Sequence, residues 1–112
     1  MIRIAFFSLV ILAVTQSAAP PKYIAVMFYK PTDAACRRDI WKIRLSGNES
    51  KLQYVDIGER PELAKQHKIT RVPTYIIWER QGSEQDRPFR GYKEVFRTHD
   101  LNELDRVTRG RR

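Results

Sequence analysis

The segment from Lys22 to Tyr29 limits the fold more than any other, because Ile24, Val26 and Phe28 alternate with Ala25 and Met27 and leave both faces apolar. A strand with one wet face alternates apolar with polar residues. One that is apolar on both faces belongs in the middle of a sheet that is covered on both sides. The chain contains a single cysteine, Cys36, so no internal disulfide can support such a fold and the apolar core must hold it alone.

The remaining elements follow in order. Asp33 to about Leu45 places Cys36, Ile40 and Ile43 at helical spacing, with Asp33 at the opening and Ser46-Gly47-Asn48 as the stop. Leu52 to Ile57 reads as a second strand. Pro61 suits the first turn of a short helix ending near Lys68, where Glu62 favours the positive end and Leu63, Ala64 and His67 share one side. Thr74 to Trp78 is a β-rich apolar strand, Gly82 lies in a polar loop, and Pro88 to Tyr92 is predicted to return beside it as a fourth strand. A last helix begins near Asp100. There Asp100 and Glu103 have the spacing of a capping box, and Leu101, Leu104 and Val107 form an inward stripe. The order βαβαββα builds an α/β domain around a central mixed four-stranded sheet, one half parallel and one half a hairpin.

Met1-Ile2-Arg3 gives a positive start, Ile4 to Val14 an apolar run too short to span a bilayer, and Ser17 and Ala19 the small residues a signal peptidase requires. Residues 1–19 are therefore predicted to be a signal peptide and residues 20–112 the domain, placing the protein in an exported compartment. Without Arg3 the mature part carries 20 basic and 13 acidic side chains, a net charge of +7. That excess suits anionic lipid headgroups or acidic proteins. Nucleic acid is not an expected partner of an exported chain whose charges are scattered, with a dense run only at Arg109, Arg111 and Arg112. Membrane contact is expected only through an uncleaved signal segment or weak attraction of the basic surface.

Phe28 through Cys36, the run Arg71-Val72-Pro73-Thr74 before the third strand, and Gly91-Tyr92 at the expected end of the fourth give this chain a resemblance to exported thioredoxin-like proteins over nearly all of residues 22–108. The short Phe28-Tyr29-Lys30-Pro31-Thr32 turn and Gly91-Tyr92 are most similar to small periplasmic members found with bacterial sulfur-oxidation systems, which implies a periplasmic location. In that superfamily a Cys-x-x-Cys pair opens the first helix. Here Asp33 replaces the first cysteine and Cys36 stands at the second. A carboxylate cannot form a mixed disulfide, so two-cysteine turnover within this chain is excluded. The resemblance also implies a cis peptide bond at Val72-Pro73, facing the helix opening, and a groove in which Asp33, Ala34, Val72, Pro73 and Thr74 contact an extended partner segment by backbone pairing.

Each candidate residue has two readings. Asp33 is a helix cap or a partner contact. Cys36 is a small core residue, or a catalytic single thiol that forms a mixed disulfide with a client or with glutathione, its pKa lowered by the helix terminus and by Arg37 and Arg38. Trp41 and Trp78 are expected to be packing residues, and His67 and His99 to have surface or helix-end roles. No metal-ligand spacing, phosphate loop or hydrolytic triad is present, and no cofactor is expected. Two functions follow: a partner-binding module working through the Pro73 groove, and a single-thiol thiol-disulfide oxidoreductase working through Cys36.

Overall fold

A computed structural model describes residues 21–82 and 91–110. The predicted signal segment and its cleavage point lie outside the described residues, as do Pro88 to Arg90 of the expected fourth strand. The elements are β1 (Tyr23–Tyr29), α1 (Ala34–Leu45), a 3-10 turn (Glu49–Lys51), β2 (Gln53–Asp56), α2 (Pro61–Gln66), β3 (Thr74–Arg80), β4 (Tyr92–Thr98) and α3 (Leu101–Gly110). The four strands form one sheet in the order β2-β1-β3-β4. Strand β1 runs parallel to β2, with Met27 opposite Tyr54, and antiparallel to β3, with Val26 opposite Ile76.

The two apolar faces of β1 feed two cores. On one face Met27, Tyr75 and Ile77 pack with Cys36 and Ile43 of α1 and Leu104 of α3. On the other Val26, Phe28 and Ile76 pack with Leu63 of α2, Ile69 and Trp78. Helices α1 and α3 therefore share one side of the sheet and α2 takes the other, as a strand apolar on both faces requires. Helix α1 stops as its sequence predicts. Gly47 turns into the left-handed region at φ +76°, and Asn48 N–H closes back on the Ile43 carbonyl at 3.2 Å.

Three expectations need correction. The fourth strand is Tyr92–Thr98, so Gly91-Tyr92 stands at its start rather than its end. A register shift at Ile77/Trp78 leaves Val95 unopposed between the Trp78–Glu94 and Ile77–Phe96 pairs. That extra residue breaks the period-2 pattern that would have marked the strand. At the start of α3 the capping box is replaced by a relay. Asp100 accepts from Asn102 N–H at 2.9 Å, but Asp100 N–H donates to Thr98 Oγ1, and the Thr98 hydroxyl in turn donates to Glu103. Trp41 is 61% exposed and is not a packing residue, whereas Trp78 meets Phe28 and His67 edge-on in the second core.

Candidate functional site

The turn after β1 ends at Asp33, whose extended backbone (φ −82°, ψ 129°) lies just outside α1. Its Oδ1 accepts the Cys36 N–H at 2.9 Å, so the carboxylate fills one of the four donors that a helix N-terminus leaves open. This bond holds the Asp33 carboxyl below the usual carboxylate range. Asp33 is half-buried and already engaged, while its neighbour Ala34 is exposed.

Cys36, one turn further on, points inward with 0% exposure. Its Sγ receives the Lys30 N–H at 3.5 Å and lies among Met27, Ile43 and Tyr75. Burial pushes the thiol up to about 11, and the Asp33 and Asp39 carboxylates act in the same direction. The expected lowering by Arg37 and Arg38 does not occur. Both guanidiniums are on the exposed side of the helix, with Arg38 Nε 3.7 Å from Asp39, and neither offsets the loss of water around the sulfur.

Beneath the thiol is a pair that the sequence reading missed. Asp39 is 6% exposed, and its Oδ2 accepts the Tyr75 hydroxyl at 2.8 Å. Burial first, and this bond second, push the Tyr75 phenol upward. The signal was available, because Asp39 lies three residues after Cys36 on the inward stripe of α1 and a carboxylate there needs a partner.

The third part is the bend before β3. The Val72–Pro73 peptide bond is cis. Val72 is half-buried and packs against the core cluster that contains Cys36, which brings this bend to the same side of the sheet as α1. Pro73 and Thr74 are buried. The Thr74 hydroxyl donates to the Arg71 carbonyl at 2.6 Å, so its side chain is used within the fold and offers a partner nothing. His99 Nδ1 lies 3.1 Å from Thr74 Oγ1 and 3.2 Å from the Pro73 carbonyl. Since the Thr74 proton is committed to Arg71, the network assigns the His99 proton to Nδ1. No local pattern points to this contact, because residues 73 and 99 meet only through the β3–β4 pairing. Among the described residues no hydrogen bond engages the backbone N–H or carbonyl of Val72. His67 closes α2 as its C-cap, as a helix-end role predicts, and its ring packs on Phe28 and Trp78.

No protein-family model matches the sequence, and comparison with curated proteins finds no match. Solved structures do match in shape. The thioredoxin of Plasmodium falciparum superposes with a TM-score of 0.64 at 15% identity, covering 88% of this chain and 79% of that one. Thioredoxin NaTrxh of Nicotiana alata gives 0.63 at 21% identity, covering 94% and 86%, and the thioredoxin of Trichomonas vaginalis gives 0.63 at 16%, covering 92% and 89%. Likeness at this identity establishes the fold: the chain is a thioredoxin-fold protein with a single cysteine.

Proposed function

We propose that this chain is an exported binding protein that holds an extended segment of a partner protein or peptide along Val72 and the cis Pro73, beside Asp33 and Ala34, without thiol chemistry. The observation that carries this reading is the contrast within one site. The Cys36 thiol is sealed and held protonated, whereas the Val72 backbone beside it has no partner among the described residues. A free N–H and carbonyl form a template for backbone pairing, and Ala34 at the opening of α1 is exposed. Export rests on the signal-like residues 1–19. The narrower likeness to periplasmic members of sulfur-oxidation systems now rests on the Phe28–Thr32 turn, since Gly91-Tyr92 occupies a different place in the fold.

The alternative, a single-thiol oxidoreductase acting on a client or on glutathione, needs an accessible thiolate at Cys36, and its site lacks both properties. The binding reading is tested by titrating isotopically labelled protein with a pool of unstructured ten-residue peptides and following amide shifts. Val72, Thr74, Ala34 and Ala35 are expected to move together. Absence of shifts there at about 1 mM peptide, the weakest affinity that would matter, overturns the proposal.

A further inference from the structure

Among the described residues the exposed large hydrophobics are two, and both are on α1: Trp41 at 61% and Leu45 at 71%. They are four residues apart, so they lie one above the other as a short ridge. At 100° per residue the ridge is flanked on one side by Arg37 and Arg44 and on the other by Arg38 and Lys42, all four exposed. The helix has one acid, Asp39, and it is turned inward onto Tyr75. Arg44 pairs with the exposed Glu49 at 3.0 Å and Arg38 approaches Asp39 at 3.7 Å. Arg37 and Lys42 have no ion pair among the described residues. The ridge faces away from Cys36, so it is separate from the Val72–Pro73 site.

We propose that this face of α1 docks on an anionic lipid surface, with Trp41 and Leu45 entering the headgroup layer and Arg37, Arg38, Lys42 and Arg44 meeting lipid phosphates. An exposed apolar ridge in a small domain calls for a partner, and Trp is the side chain best suited to the boundary between water and hydrocarbon. Long cationic side chains on both flanks of a convex ridge reach a flat layer of phosphates while their stems cover apolar surface. The helix itself carries no outward acid, so the arc presents one sign of charge along its length, which suits a layer of repeated phosphates. The net charge of +7 on residues 20–112 adds attraction of the same sign.

The test uses residues 20–112, the chain expected after export, with Trp78→Phe, so that Trp41 is the only indole, and vesicles of phosphatidylcholine with and without phosphatidylglycerol, their acyl chains brominated. Trp41 fluorescence should be quenched by anionic vesicles at low salt and recover at about 0.5 M salt, where the screening length is only a few ångströms. Each cation near the surface is worth roughly a fivefold change in partition, so Arg37→Glu with Lys42→Glu should weaken binding by about 25-fold or more. Equal quenching by neutral vesicles, or quenching that survives those two substitutions, would show that the cations of α1 do not drive attachment and would overturn the proposal. So would vesicle binding that leaves Trp41 unquenched, or a Trp41 response to polyglutamate with none to anionic vesicles.

Discussion

Iodoacetamide labelling of Cys36 provides a quantitative test of the sealed thiol. The shift from 9.0 to about 11 lowers the thiolate fraction at neutral pH by about a hundredfold. A more basic thiolate is also the better nucleophile, and a Brønsted slope of about 0.45 over two pH units returns a factor of roughly eight. Ionisation alone thus slows the native protein by about tenfold. Cys36 is 0% exposed, so no reagent reaches the sulfur without displacing its neighbours, and that factor is a lower bound. Labelling of native protein at pH 7, followed by intact mass, is expected to be at least about tenfold slower than labelling of the chain in denaturant. A native rate within threefold of the unfolded rate, or an apparent pKa below the free-thiol value of about 8.5, would refute both the burial and the binding-only reading.

Other outcomes follow from the same geometry. Because the folded-state pKa of Cys36 lies above its unfolded value, stability is complete below about pH 9 and should fall by about 3 kcal/mol as pH rises through 11, with Tyr75 acting in the same direction. Urea unfolding across pH 7 to 11 measures this slope, which should shrink in Cys36→Ala. Tyr75→Phe leaves the buried Asp39 carboxylate without its 2.8 Å donor and should cost about 2 kcal/mol by urea titration, while adding Asp39→Leu should recover part of the loss. Asp33 has its folded pKa lowered by the Cys36 N–H, so its contribution is present above the unfolded value and lost as pH falls through the folded one. Asp33→Ala should therefore lower the thermal midpoint at pH 7, and by less in acid, where the neutral carboxyl still caps the helix but its charge is gone. Asp33→Cys should restore a dithiol at the helix opening and give measurable disulfide reductase activity, which a Cys36→Ser background abolishes.

The parts of the fold that were legible in the sequence are those set by local pattern. Alternation on both faces of β1 announces a central strand, and the Cys36, Ile40 and Ile43 spacing with Gly47 at its end fixes α1. Strand β4 is hard to place from sequence because the bulge at Val95 interrupts alternation between the Trp78–Glu94 and Ile77–Phe96 pairs. Thr98 inserts itself between Asp100 and Glu103, and no spacing rule for caps anticipates a third residue. Trp41 was misread from its residue type, although its position a third of a turn from Ile40 already directed it outward. The site divides in the same way. Asp33 as a cap is visible within four residues of sequence, whereas the Asp39–Tyr75 pair and the His99 contact to Pro73 depend on sheet register and helix packing.

The central claim is that the groove binds without sulfur. Calorimetric titration of the native protein and of Cys36→Ser with the tightest member of the peptide pool, in the presence and absence of reductant, addresses it most directly. The account predicts dissociation constants for the two proteins within about twofold and indifferent to reductant, since the thiol is buried and engaged only within the fold. Binding that is lost in Cys36→Ser, or that reductant reverses, would show a mixed disulfide and contradict it.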